Sequence, residues 1–159
     1  MTKMPLANAQ DTYDLGIALG KTLDPGSSLL LEGDLGAGKT TLVQGLAFGM
    51  GIKEPVVSPT FNLIAEYPKG RMPLYHIDLY RLQPKDIKDL NLESYWEGIE
   101  VEKGIVAIEW PDRLTHLPEV YLRVRLYNVD EGREADITPS DAFDWLGFLR
   151  YHYMLVYHS

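Results

Sequence analysis

The chain has 159 residues, enough to bury a sizeable core in one domain, and it holds no cysteine, which excludes disulfides and thiolate metal sites. Its formal net charge of −8 turns the summed field away from nucleic-acid phosphates, so any RNA role would leave most of the holding to another protein. No stretch stays apolar for the roughly 18 residues of a membrane span, and the first residues lack the apolar run of a signal peptide, so the cytoplasm is the expected compartment.

From the N-terminus, Ala9 to Leu23 carries Leu15, Ala18, Leu19 and Thr22 at helical spacing, and Asp24-Pro25-Gly26 ends the pattern. SSLLLEG is a continuous apolar run between turns, the mark of a strand buried on both faces. Helix is expected again from Thr40 to Met50, stopped by Gly51. FNLIAEYPKGRMPLYHIDLYRL reads as two strands joined by a Pro/Gly turn, and PKDIKDLNLESYWEG as short helix. GIVAIEWP predicts a second buried strand ended by proline. EVYLRVRLYNVDEGREADITP alternates in period two about Asp130-Glu131-Gly132, a hairpin signal. The last segment starts like a helix capped at Ser140. There is no internal repeat and no low-complexity linker, so residues 1–159 are expected to form one α/β domain with mixed strand directions.

The chemistry begins at Gly33. GDLGAGKT, Gly33 to Thr40, fits G-x-x-x-x-G-K-S/T, and it follows a buried strand and opens a helix, as the mechanism of a P-loop requires. Small residues let successive backbone N–H groups turn inward around phosphate oxygens. Gly38 leaves room for close approach, Lys39 reaches the β- and γ-phosphates, and the Thr40 hydroxyl is a ligand for Mg²⁺. The competing reading is a tight strand-to-helix turn with a solvent-facing lysine.

Hydrolysis needs an acidic residue at the end of a buried strand, acting on Mg²⁺ directly or through water. Glu109 stands directly after Val106-Ala107-Ile108; Asp112 is a poorer candidate because it lies beyond Pro111. His76, Asp78 and Tyr80 share one face of their strand, with Tyr75, Ile77 and Leu79 on the other. That polar row either lines a nucleotide cleft and positions water, or is the wet face of an antiparallel sheet. Ser58 and Thr60 flank Pro59 in a turn that is either ordinary or a nucleotide sensor.

GDLGAGKTTL, SPTF, YHIDLYRL and IEWP, in this order and at these separations, resemble the TsaE (YjeE) family, the small P-loop ATPases of bacterial tRNA threonylcarbamoyladenosine synthesis. The resemblance runs from about Asp11 to Asp136. It implies a single-domain P-loop nucleotide-binding fold, a mixed parallel/antiparallel sheet flanked by helices, with ATP and Mg²⁺ as cofactors. It also implies association with a threonylcarbamoyl-transfer complex of TsaB and TsaD type proteins, which slow ATP hydrolysis resets between turnovers. Contact with tRNA would come only through that complex, and no membrane is involved. Carried over, Gly36, Ala37, Gly38, Lys39, Thr40 and Thr41 would wrap the phosphates, Thr40 and Glu109 would hold Mg²⁺, and Asp78, with Lys39, would serve catalysis, either by activating water or through an outer-sphere contact to Mg²⁺. Thr60 would respond to the γ-phosphate and Trp110 would lie beside the site. Arg133 would edge the nucleotide, unless it is an ordinary hairpin-tip arginine.

Two features depart from the family pattern. Asn91 stands where a glycine is usual, and Asn tolerates the left-handed conformation such a turn needs. The tail, from about residue 140 to 159, is unusually aromatic: a core strand, or an element that docks on a partner. Two rival functions share the P-loop. A small-molecule kinase needs a lid with several arginines, and only Arg71 and Arg81 lie between the loop and Glu109. A nucleotide-dependent switch would work with ATP bound and unhydrolysed.

Overall fold

The computed structural model describes residues 1–59 and 61–150. Its elements follow in the order β1 (Thr2–Leu6), α1 (Ala9–Thr22), β2 (Ser28–Glu32), α2 (Lys39–Gly49), β3 (Ile64–Tyr67), β4 (Leu74–Asp78), α3 (Pro84–Ile87), α4 (Glu93–Glu97), β5 (Ile105–Glu109), β6 (Tyr121–Val129) and β7 (Gly132–Pro139). All seven strands form one sheet in the order β1-β7-β6-β2-β5-β4-β3. The central four, β6, β2, β5 and β4, run parallel. Antiparallel strands close both sides, β3 against β4 and the β6–β7 hairpin with β1. This is the mixed α/β architecture expected from the sequence.

The apolar runs of β2 and β5 are buried throughout because both faces of the sheet are covered. Leu29, Leu31, Leu74 and Ala107 face the layer of α1 and α2, where Leu19, Leu42, Val43 and Leu46 complete the core. Leu30, Tyr75, Ile77, Val106 and Ile108 face the opposite layer, filled by Ile87 of α3 and Leu92 and Trp96 around α4. Burying chains of this size contributes roughly 2 kcal/mol each.

The two long helices meet through glycine. A Cβ on Gly16 would stand 2.2 Å from Leu42 O, and one on Gly20 the same distance from Leu46 O. Gly49 faces Ile17 O in the same way, at 2.3 Å. Backbone therefore packs on backbone, which draws α2 tightly onto α1 and fixes the height of the loop that precedes it. The ends of α1 are secured differently. The Asn8 side chain accepts from Asp11 N at 3.0 Å, and Arg71 donates to Gly20 O and Leu23 O beyond the last turn.

Three local expectations change. Thr2–Leu6, given no structure from its sequence, pairs with β7, since an edge strand of so few residues carries little periodic signal. Ser140 does not cap a helix; its Oγ accepts from Tyr121 N at 3.0 Å, and the helical residues 145–150 start after Asp144, whose Oδ1 accepts from Gly147 N at 2.9 Å. Tyr80 does not continue the polar row, because β4 ends at Asp78 and Tyr80 is exposed in the turn beyond. Asn91 does adopt the left-handed conformation, with φ 51°. Residues 151–159 of the aromatic tail lie outside the described residues. Among the described residues, no helix is long and apolar enough to cross a membrane.

Candidate functional site

Parallel strands point their C-terminal ends to one edge of a sheet, and ligands of open α/β sheets bind there. At that edge β2 delivers the glycine loop, while β4 and β5 end side by side, Asp78 in register with Glu109. A cavity of about 430 Å³ opens between them, lined among others by Gly36, Gly38, Lys39, Thr40, Thr41, Asp78, Glu109 and Arg133. Ala37 stays in the loop, but its side chain packs into the core beneath. A larger cavity, about 620 Å³, lies at the opposite edge around Ser27, Lys103 and Phe143, and holds none of the residues expected to act on nucleotide.

The loop is built to leave donors free. Gly38 sits at φ 109°, a left-handed conformation that turns the chain into α2. Unlike α1, α2 has no side-chain cap and no acidic residue in its first turn, so its N-terminal amides and positive dipole end face the cavity. Lys39 is buried, donates to Gly33 O at 2.7 Å, and lies 4.0 Å from the centroid of the Trp110 ring. Burial pushes its ammonium down from the ordinary lysine value, against the pull of Glu109, Asp78, Asp34 and Asp112. It is not a solvent-facing turn residue.

Across the cavity the polar row is buried rather than wet. His76 is 0% exposed, Asp78 8% and Glu109 3%. His76 Nε2 meets Glu109 Oε2 at 2.7 Å. Asp78 accepts from Tyr80 N at 3.0 Å and from Ser58 Oγ at 3.3 Å, which brings the SPTF turn to the site. Thr60 itself lies outside the described residues. Asp112 is exposed and pairs with its neighbour Arg113, away from this constellation. Trp110, at φ 60°, lies against Tyr80 with ring centroids 5.0 Å apart.

Arg133 is not an ordinary hairpin-tip arginine. It lies in β7 opposite Leu6 and Asn128, and its Nη1 is buried against Gly38 with no hydrogen-bond partner among the described residues. A Cβ on Gly38 would come within 2.6 Å of that nitrogen. A buried guanidinium N–H and the uncapped helix amides beside it are donors of the kind that can meet an anion. For a metal, the oxygen donors Thr40, Asp78 and Glu109 share the same rim, a hard set that suits Mg²⁺. Among the described residues no cluster of three or more His, Cys, Asp or Glu could cage an ion alone. Spacing along the chain gave no sign of the His76–Glu109 contact; the helix glycines were missed although Gly16-x-x-x-Gly20 and Gly45-x-x-x-Gly49 carried a legible signal.

Fold and site together define the class: an α/β domain in which a strand–glycine loop–helix unit faces a buried carboxylate pair at the parallel edge of a mixed sheet. The family model described as "Threonylcarbamoyl adenosine biosynthesis protein TsaE" matches residues 6–135. The chain belongs to the TsaE family. A Nostoc protein named tRNA threonylcarbamoyladenosine biosynthesis protein TsaE is 62% identical over 140 residues, 87% of this chain and 86% of the relative. The Bacillus subtilis protein of the same name is 38% identical over 138 residues, 86% of this chain and 84% of the relative. A crystal structure of YdiB from Bacillus subtilis superposes with a TM-score of 0.78 at 31% identity, covering 98% of this chain and 95% of that one.

Proposed function

We propose that this protein binds ATP with Mg²⁺ in the cavity at the parallel edge and hydrolyses it in support of tRNA threonylcarbamoyladenosine synthesis. The observation that carries the reading is the meeting of Lys39, Thr40, Asp78, Glu109 and the unpaired Arg133 Nη1 in one cavity at an uncapped helix N-terminus. Gly36 to Thr41 wrap the phosphates with backbone amides. Lys39 leaves Gly33 O and the Trp110 face to meet the β- and γ-phosphates, and Arg133 adds a second cation from β7. Thr40 and Glu109 hold Mg²⁺, which when bound draws charge off the phosphates. Asp78, fixed by the Tyr80 amide and the Ser58 hydroxyl, orients the attacking water and takes up its proton.

The family supplies the pathway; the partner is a threonylcarbamoyl-transfer complex of TsaB and TsaD type, with tRNA reached through it. The acidic net charge supports that division, since the protein alone offers little to a polyanion. The kinase alternative loses one of its two lid arginines, because Arg71 is committed to the α1 carbonyls far from the cavity.

The test is Mg²⁺-dependent ATP hydrolysis by the purified protein, alone and then with the transfer complex and tRNA. Slow hydrolysis that rises with the complex, together with repeated rounds of tRNA modification, is the expected result. Hydrolysis indifferent to the complex would remove the pathway and reopen the search for a kinase acceptor.

A further inference from the structure

His76 is a polar side chain in a costly position. It is fully buried in β4, its register neighbours are Ala107 of β5 and Ala65 of β3, and its Nδ1 has no hydrogen-bond partner among the described residues. Leaving a buried acceptor unpaired is unfavourable, and an apolar residue between two alanines would avoid it. The imidazole's single polar contact among the described residues is Nε2 to Glu109 Oε2, at 2.7 Å. A carboxylate only accepts, so Nε2 carries the hydrogen and donates. The contact runs diagonally, since Glu109 lies two residues beyond Ala107, the register partner of His76.

Glu109 needs such a restraint. It ends β5 at the cavity rim, and of the carboxylates acting on Lys39 its charge is the strongest. The bond from His76 opposes that attraction. Among the described residues no hydrogen bond reaches its Oε1, so the bond from His76 secures one oxygen and leaves the other available.

We propose that His76 is a positioning residue: its Nε2–H holds the Glu109 carboxylate at the cavity rim, turned toward a divalent cation rather than collapsed onto Lys39. The inference rests on the proposed Mg²⁺·nucleotide function and adds to it a residue that touches neither metal nor nucleotide. Outer donors of this kind typically govern metal affinity by about 10–100-fold.

The experiment compares wild type, His76→Leu and His76→Gln. For each, the melting temperature, ADP affinity in EDTA, ADP affinity across a Mg²⁺ titration, and ATP hydrolysis against Mg²⁺ concentration are measured. His76→Leu removes the donor to the buried Glu109 carboxylate, so it is expected to melt below wild type while still binding ADP in EDTA as wild type does. It should then need about 10–100-fold more Mg²⁺ for full ADP affinity and for hydrolysis. His76→Gln, whose amide can donate from nearly the same place, should recover most of the loss. An unchanged Mg²⁺ dependence in His76→Leu overturns the inference, as does an equal loss of ADP binding with and without Mg²⁺, or a His76→Gln no better than His76→Leu. Wild-type ADP affinity that ignores Mg²⁺ overturns the proposed function and this inference with it. A Mg²⁺-dependent wild type with a Mg²⁺-neutral His76→Leu overturns this inference alone.

Discussion

The carbonyl oxygen of Tyr13 stands 2.0 Å from the place a Cβ on Gly45 would occupy, so α1 and α2 touch through their backbones at that point. Neither side can yield cheaply, because both atoms belong to helix backbone. Gly45→Ala must push α2, and with it the end of the glycine loop, away from α1. The expected cost is about 3 kcal/mol, read as a fall in melting temperature of about 6–12 °C. A melting temperature within a degree or two of wild type would show that the helices slide apart without strain.

Lys39 and Asp78 serve different stages of the proposed reaction. Lys39→Ala is expected to abolish productive ATP binding. Asp78→Ala should retain ATP and lose hydrolysis, by about 10²–10⁴-fold if Asp78 handles the proton. Equilibrium binding and single-turnover assays separate the two. Normal hydrolysis by Asp78→Ala would remove its catalytic role.

Arg133 offers a cleaner comparison, because the nitrogen facing Gly38 has no hydrogen-bond partner to lose among the described residues. Arg133→Met should leave the melting temperature of the nucleotide-free protein unchanged or higher. ADP affinity should fall by about 10–100-fold, the worth of one charge-assisted hydrogen bond. Calorimetric titration with ADP checks both halves, and unaltered affinity would return Arg133 to a structural role.

The buried ammonium of Lys39 also predicts a pH dependence. Its folded value lies below the unfolded 10.5, chiefly because burial disfavours the charged form. Between those two values the unfolded chain holds more protons than the folded one, so stability rises with pH through that window. Measured against Lys39→Met, wild type should therefore gain melting temperature as the pH climbs from neutral toward 10.5. A gap that is flat or widens in favour of Lys39→Met contradicts the burial penalty.

Asn91 sits at φ 51° ahead of α4. Asn91→Gly should be neutral or stabilising, whereas Asn91→Val should cost about 1–2 kcal/mol for a β-branched residue held left-handed. Denaturant melts distinguish the two, and equal midpoints would mean that the turn relaxes.

The order of strands and helices was largely legible in the chain because it follows from periodicity. β2 and β5 are continuous apolar runs, the β6–β7 hairpin alternates in period two, and α1 and α2 carry helical spacing. These are local signals, and local sterics decide them. The glycine loop was legible for a related reason: its chemistry needs small residues, a lysine and a hydroxyl in unbroken sequence order. Short or edge elements escaped. β1 forms because β7 presents a free edge, and Ser140 spends its hydroxyl on Tyr121 N rather than on a helix, which its own neighbours could not foretell.

By itself, then, the sequence determined the strand–glycine loop–helix unit and the residue types around it: Lys39, Thr40, Asp78, Glu109 and Arg133 could all be named from their motifs. Only the tertiary structure decided how they relate. Register between β4 and β5 sets Asp78 beside Glu109 and brings His76, 33 residues away, to Glu109 Oε2. Packing turned the polar row inward, where the chain alone allowed a wet face, and drove Arg133 from a hairpin toward Gly38. The physical reason is that burial and strand register arise from contacts between distant segments. Those contacts exist only once the helix glycines and the parallel sheet have brought the segments together.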